Sequence, residues 1–427
     1  MDADGQATDA AGTGPGASAA RINLRNDLRR LLPNRRFRML FAARFISNIG
    51  NGMTPIALAF GVLGLPGGDA TDLSYVTTSQ MVPIVIFLLL GGVLADRSSR
   101  SRLVGVTDMV GAAVVALNAV LFLTGQASVV LLCVTGVAVG VLNALWYPAF
   151  SGLMPEVVPA DQLQSANSLV GFAANVGFTI GASAAGVIVS TAGAGWAILI
   201  DAMTFFVAGV LVWQLKTPPV ASDSLGQSGS NWRQLRDGWR EFSSRRWLVA
   251  VVSAFAIANM CLEGFIGVLA PLQMSEEFDG ARDMGLMMAG WGAGSVVGVA
   301  VSMRLRVRHP IRLAMSVIPL IGVWMLGTAV AAPLVLLVPI AFLTGIALDV
   351  FVVMWMTTTQ RHVPAEALSR VGSFEAFGSN LLVPLGLFVA GPAATWLGTE
   401  QTLVVVGTAT IVACLAALAS RSVRSLT

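Results

Sequence analysis

The sequence predicts an all-α membrane protein of twelve transmembrane helices in two pseudo-symmetric six-helix bundles, and three observations carry that prediction. Hydrophobic residues make up 55% of the 427-residue chain and charged residues only 11%, with a mean hydropathy of +0.76, outside the range of soluble domains. The apolar residues come in continuous runs of about twenty, the length at which a helix crosses hydrocarbon, not in the short alternating stretches that close a barrel. The two halves also carry a weak internal repeat in equivalent loops.

Apolar spans fall near 39–65, 73–95, 103–124, 128–150, 166–192 and 196–215, then near 247–273, 284–303, 311–330, 333–356, 371–396 and 400–420. This divides the chain into a first bundle over 37–215, a cytoplasmic linker over 216–246, a second bundle over 247–420 and a short tail over 421–427. Met1 to about Ala20 is rich in Gly, Ala and Asp with no apolar core, so it is not a cleavable signal peptide. Residues 1–36 are expected to form a disordered cytoplasmic tail.

Orientation is read from the arginines. With a cytoplasmic N-terminus, one side receives Arg21 to Arg38, the Arg97/Arg100/Arg102 group, Lys216 to Arg246, Arg304 to Arg312, Arg361, Arg370, Arg421 and Arg424, while the other keeps only Arg282. The opposite loops carry Asp69, Asp72, Glu276, Glu277, Asp279 and Glu400. Both termini are therefore expected inside, and the arginine bias with abundant Ala and Gly suits the plasma (inner) membrane of a bacterium. The net charge of +3 reflects this topology and implies no nucleic-acid partner. The bilayer is the partner instead.

Cys133, Cys261 and Cys414 lie far apart inside apolar runs, so they read as packing residues without a disulfide framework or a metal site. The two histidines, His309 and His362, sit in cytoplasmic loops, no nucleophile stands with a base, and no phosphate-binding glycine loop occurs. An enzyme, a resident cofactor and direct ATP drive are all disfavoured.

The repeat is Val158-Pro159-Ala160-Asp161-Gln162-Leu163 after the fourth span and Val363-Pro364-Ala365-Glu366-Ala367-Leu368 after the tenth. Each precedes a glycine-rich span. A duplicated six-helix half is the architecture of carriers that rock two bundles about a central site.

Between spans two and three runs Gly92-Val93-Leu94-Ala95-Asp96-Arg97-Ser98-Ser99-Arg100-Ser101-Arg102. Gly92 permits close helix approach, Asp96 can accept from a helix N-terminus, and Arg97, Arg100 and Arg102 can reach carboxylates and carbonyls at the inner gate. Glu156, beside the inner end of span four, is a candidate partner for Arg100. A plainer reading makes these arginines positive-inside residues at a helix end. The segment resembles the loop signature of the major facilitator superfamily, with Ser98 and Ser99 where the family has a glycine turn.

The resemblance extends from about Arg35 along most of the chain. It includes Ala43 to Gly50, Leu163 to Leu169, Asp201 to Phe205, Gly238 to Phe242, Gly290 to Gly298, Arg370 to Ser373 and Pro384 to Gly386. The nearest branch contains enterobactin exporters and macrolide-efflux proteins. It implies a monomeric exporter working by alternating access on a small molecule. Two departures stand out. Span four has Gly136, Gly140 and Asn143 but lacks the arginine of many proton-driven drug exporters, and Ala182 replaces the usual proline of the antiporter motif in span five, which retains Gly177, Gly181 and Gly186.

Charges within hydrocarbon cost roughly 2.5–3.5 kcal/mol each, so those retained in spans are functional candidates. They are Arg44, Asp108, Asp201, Glu263, Asp349 and Glu375. Asp349 and Glu263 are the preferred proton-coupling residues, because burial disfavours a charged carboxylate and makes its protonation switchable. Asp201 and Glu375 are further candidates, the first also readable as structural and the second as part of a gate. Simple pairing with Arg44 or a backbone amide is the alternative for any of these carboxylates. Arg44, Asn48, Asn51, Asn143, Trp146, Tyr147, Asn259, Trp291 and Trp355 are the candidates to line a cavity for a bulky amphipathic ligand. Trp146 and Trp355 also suit interfacial anchoring.

The function expected is proton-coupled efflux of a hydrophobic or amphipathic small molecule such as an antibiotic, drug or siderophore. An uptake permease or lipid translocator on the same fold, and a sensor or assembly subunit that no longer transports, remain as alternatives.

Overall fold

The computed structural model describes residues 29–88, 99–215, 231–302, 304–305 and 307–424, and no strand occurs among them. The first bundle contains α1 (Arg35–Leu63), α2 (Ala70–Leu88), α3 (Arg100–Leu123), α4 (Val129–Ser151), α5 (Leu163–Ala192) and α6 (Ala194–Trp213). The second contains α7 (Arg246–Glu277), α8 (Gly280–Ser302), α9 (Pro310–Ala329), α10 (Leu334–His362), α11 (Ala365–Asn380 continued by Val383–Leu397) and α12 (Thr399–Ala419). Eleven described helical spans are long and apolar enough to cross a membrane. The twelfth helix, α2, has a polar first half through Thr71, Asp72, Ser74, Thr77, Thr78, Ser79 and Gln80, and it ends where the described residues stop.

Packing follows the repeat. In the first bundle α1 packs on α5 and α6, α2 on α4, and α3 on α4 and α6; in the second α7 packs on α11 and α12, α8 on α10, and α9 on α10 and α12. Each pair maps onto its counterpart six helices later. The halves meet through α5 on α8 and α2 on α11, a pair of contacts that the same exchange interconverts.

Local backbone conformation obeys the repeat too. Val158 and Val363 are extended, and the prolines that follow them have φ −59° with ψ 156° and φ −54° with ψ 143°. At the other end of the molecule, the turns from α5 to α6 and from α11 to α12 pivot on Gly193 at φ 93° and Gly398 at φ 94°. Val158 to Val363 and Gly193 to Gly398 are the same 205 residues apart. A side chain at that φ with ψ near 160° costs on the order of 1–3 kcal/mol. Gly193→Ala is therefore expected to lower the thermal unfolding midpoint in detergent by several degrees, with no neighbouring atom to account for it, since a Cβ there would meet nothing within 4 Å.

The tail expected to be disordered to residue 36 is built onto the first bundle from Arg29, where a helical turn places Leu31 at 1% exposure. Asn34 explains this. Its carboxamide oxygen caps α1 through the amides of Arg36 at 3.0 Å and Phe37 at 3.3 Å, and its nitrogen donates to the Val157 carbonyl at 2.9 Å. The linker also contains a helix, Asn231–Ser244, docked where Trp239 and Phe242 meet Phe374 of α11 with ring centroids 5.8 and 6.4 Å apart.

The two ends of the molecule differ. The acidic end, carrying Asp69, Asp279 and Glu400, is where the halves touch. Gly186 of α5 faces Gly285 of α8, and a Cβ on Gly285 would lie 2.8 Å from the Gly186 Cα. On the other seam the Gly391 amide donates to Ser74 Oγ at 2.7 Å, Thr71 and Thr395 share a hydrogen bond of 3.3 Å, and Tyr75 packs on Phe388. These contacts use the first half of α2 and α8 and the last half of α5 and α11. The opposite, arginine-rich end holds the start of α1 and α3 and the end of α4.

Candidate functional site

Between the bundles lies a cavity of about 310 Å³. Its wall is mostly apolar, through Pro55, Leu58, Met81, Ile84, Phe205, Ile266 and Leu387, with amides from Asn51, Gln80, Asn118 and Asn143. Such a mixture solvates an apolar ligand and orients it by a few polar contacts. Asp201 and Glu263 also face this space, one from each bundle.

Glu263 makes no hydrogen bond or ion pair with any described residue, so nothing in the packing requires its carboxyl group. Asp201 differs. Its Oδ2 accepts from Thr54 Oγ1 of α1 at 2.5 Å, and the carboxyl covers Gly50, where a Cβ would strike Asp201 Oδ1 and Thr204 Oγ1. It binds α6 to α1 at a point where only glycine leaves room, which suits a packing role. Asp349 of α10 accepts from Ser295 of α8 and rests against Gly298. Glu375 accepts from Trp355 Nε1 at 3.1 Å.

A second cavity of about 280 Å³ adjoins the first, sharing Asn51, Ile84, Asn143 and Phe205, and is lined further by Arg44, Asn48, Asp108, Trp146 and Tyr147. Arg44 lies against Trp146 and Phe150, its guanidinium carbon 4.7 and 4.6 Å from the ring centroids, and those two rings stack at 4.5 Å. Among the described residues, no carboxylate partner of the kind the sequence allowed for Arg44 lies within 4.0 Å. Trp146, which could have been an interfacial anchor, is the platform under this cation.

A third space of about 160 Å³ between α1, α5 and α8 is lined by Asn48, Asn175, Phe178, Trp291 and Ser295. Trp291 and Phe178 meet edge to face across the two bundles at 5.8 Å. Five of the seven cavity candidates beyond Arg44 and Tyr147 thus reach one of these spaces: Asn48, Asn51, Asn143, Trp146 and Trp291. Asn259 and Trp355 do not line the central cavity. Asn259 donates to the Ser379 carbonyl at 3.3 Å, tying α7 to α11, and Trp355 is buried among Trp247, Phe351 and Glu375. Gln80, Phe205, Thr54 and Asn118 belong to the wall without having been singled out in the sequence. Gln80 stood among the polar residues of the first half of α2, which nothing told apart, and Phe205 had only its place in the Asp201 to Phe205 stretch.

The Major Facilitator Superfamily model matches residues 40–381. The chain belongs to the major facilitator superfamily. Among curated proteins it is similar to the multidrug efflux pump Tap of Mycolicibacterium fortuitum, 25% identical over 85% of this chain and 90% of that one. It is also similar to the enterobactin exporter EntS of Citrobacter koseri, 24% identical over 87% of this chain and 90% of that one. Among solved structures, a bacterial homologue of the human lysosomal transporter Spinster, inward-facing and unoccupied, superposes with a TM-score of 0.67 at 14% identity, covering 92% of this chain and 98% of that one. The protein is thus a multi-pass membrane transporter of this superfamily, moving a small-molecule substrate and not catalysing a reaction.

Of the superfamily's loop signature, Gly92, Asp96 and Arg97 lie outside the described residues. Arg102 is exposed. Arg100, in the first turn of α3, has its Nη1 3.3 Å from Glu156 Oε1 and donates to the Gly152 carbonyl at 2.9 Å. The guanidinium fills the place where a Cβ on Gly152 would sit, 2.5 Å from Cζ. The pair therefore joins α3 to the end of α4. Both partners are about one-fifth to one-quarter exposed, so its worth is of the order of 1 kcal/mol after solvent screening. Glu156→Gln is expected to lower the unfolding midpoint by only a few degrees, and Arg100→Ala by more because the Gly152 carbonyl also loses its donor. A double-mutant cycle read by thermal unfolding checks the coupling.

Proposed function

We propose that the protein is a proton-coupled exporter of hydrophobic or amphipathic small molecules, of the antibiotic, drug or siderophore kind. It works as a monomer by alternating access in a bacterial plasma membrane, with both termini in the cytoplasm. The observation that carries this reading is the central cavity, an apolar chamber with scattered amides and, in its wall, Glu263 with no partner among the described residues. Such a wall accepts bulky ligands without demanding one pattern of hydrogen bonds, and a carboxyl group with no structural partner is free to gain and lose a proton.

The arginine-rich end faces the cytoplasm by the positive-inside rule. The acidic end is the periplasmic one, and its closure by the α5–α8 and α2–α11 seams makes this conformation inward-facing. Residues 37–215 and 247–420 act as the two rocking bodies, with 216–246 as the tether between them. Export is supported by the likeness to Tap and EntS, named for efflux and for enterobactin export. In this cycle Arg100 and Glu156 brace the cytoplasmic end of the first bundle as part of the inner gate, with Arg102 beside them; Asp349 and Glu375 are secondary coupling candidates.

The test is accumulation of fluorescent amphipaths by everted membrane vesicles, with and without a protonophore. Energised uptake that the protonophore collapses supports the reading. Movement in the reverse direction would make the protein an uptake permease, lipid headgroup translocation without dye transport would make it a lipid translocator, and binding without flux would make it a sensor.

A further inference from the structure

The cavity around Arg44 contains two charges of opposite sign that the protein does not join. Arg44 stands nine residues into α1, Asp108 eight residues into α3, and Trp146 five residues before the end of α4. At 1.5 Å per residue these lie about 8–14 Å from the same end of the bundle, so the three occupy one level. The Arg44 Nε is buried without a hydrogen-bond partner, and its guanidinium forms no hydrogen bond or ion pair with a described residue, only its two ring contacts. Asp108 is 8% exposed. It lies beside Trp146 Nε1 without reaching hydrogen-bond geometry and forms no ion pair with a described residue. The amides of Asn51 and Asn143 line the same pocket, with no hydrogen bond to a described residue.

A buried charge without a partner is costly, and two of them in one pocket, each the other's natural partner, would ordinarily close into a salt bridge. Here Arg44 is drawn instead onto the Trp146 and Phe150 rings. The cation and the Asp108 carboxyl thus line one pocket of about 280 Å³ without an ion pair within 4.0 Å. A pocket that holds unjoined groups of both signs with amides in the same lining is complementary to a dipole.

We propose that this pocket is a head-group site for a zwitterionic substrate, taking a carboxylate or other oxyanion against Arg44 and an ammonium group against Asp108, while the apolar body extends into the adjoining cavity past Asn51 and Phe205. The proposal rests on the central cavity being the place where the transported amphipath binds, but not on the direction of transport or on proton coupling. It narrows the substrate class from any amphipath to those whose polar end carries both charges. The Trp146 platform acts as a positioning group, holding the cation where a ligand can reach it.

The experiment is equilibrium binding to the full chain in nanodiscs of four probes sharing a dansyl-undecyl chain and ending in an α-amino acid, a carboxylate, a primary amine or a methyl ester. The wild type is expected to bind the amino-acid probe at least ten-fold more tightly than the ester. Arg44→Gln should remove the contribution of the carboxylate, leaving the amine probe preferred over the acid; Asp108→Asn should do the opposite, leaving the acid preferred. This crossing of preferences is a readout that loss of fold or general loosening of the cavity does not produce, and either variant suffices if the other fails to fold. The proposal is overturned if the wild type binds the ester as tightly as the amino acid, if it binds the acid or the amine best, or if both substitutions weaken all four probes alike. Failure of efflux in everted vesicles with the crossing intact would instead overturn the exporter reading and leave the head-group site standing.

Discussion

Glu263→Gln is expected to abolish protonophore-sensitive efflux, with a loss of at least ten-fold, while the protein folds and inserts as before. The two halves of that expectation come from the same observation. Glu263 faces the central cavity and has no hydrogen-bond or ion-pair partner among the described residues, so replacing it with an amide of the same shape removes no structural contact. What is removed is the ability to alternate between a neutral and a charged state. A carboxyl group on an apolar wall is costly to ionise when the cavity is dry and cheap when water enters, so exposing it alternately to two sides of the membrane couples its protonation to the conformational cycle. An amide cannot do this. Asp349→Asn makes the comparison: its acceptor role toward Ser295 can be retained by an amide oxygen, so a smaller loss is expected. The measurement is dye accumulation in everted vesicles at matched expression. Full activity in Glu263→Gln, with the protonophore still effective, would remove this residue from the coupling step.

Gly285→Leu is expected to force open the acidic end. The Gly186 and Gly285 backbones touch across the seam between the bundles, and a Cβ at Gly285 would approach Gly186 Cα to 2.8 Å and the Ala182 carbonyl oxygen to 3.0 Å. These are backbone atoms and cannot rotate aside. Overpacking of this kind costs about 1–3 kcal/mol or more, and the whole cost falls on the conformation in which α5 and α8 are in contact. A penalty of about 2 kcal/mol moves the equilibrium between closed and open ends roughly thirty-fold. Spin labels at Asp69 and Glu400, exposed residues on opposite bundles at that end, should report a longer distance in the variant, and transport should fall because the cycle stalls. An unchanged distance distribution would mean that the seam absorbs the side chain and is not a gate.

These expectations stand on different grounds. The number and order of the spans were legible because the bilayer imposes length and apolarity on every segment that crosses it. The expected α3, α4, α8 and α12 agree with the observed helices to within about four residues at each end. The duplication was legible as well: one loop sequence repeated after the fourth and tenth spans, and the structure repeats its backbone angles. The region least well read was the tail before α1. Its composition suggests disorder, but Asn34 caps a helix and reaches Val157, 123 residues away, and no local rule finds such a partner.

Along the chain, Glu263 and Asp349 stood out alike as acids well inside their spans, Asp201 and Glu375 sat nearer span ends, and nothing separated Glu263 from Asp349. Composition and spacing determine that these acids are in the membrane, and also that the protein is a helical carrier with a twofold-repeated plan, because those conclusions depend on lengths, runs and motifs carried by contiguous residues. Which acid is free was decided by the tertiary structure alone. Thr54 from α1 meets Asp201, Ser295 from α8 meets Asp349, Trp355 meets Glu375, and no described residue hydrogen-bonds or pairs with Glu263. The same holds for Arg44 and Asp108, whose shared pocket comes from helices α1 and α3, separated by a whole helix and two loops. Partners across a helix bundle are set by how faces pack and by the rotation of each helix about its axis, and those follow from the sum of many contacts that no single stretch of sequence contains.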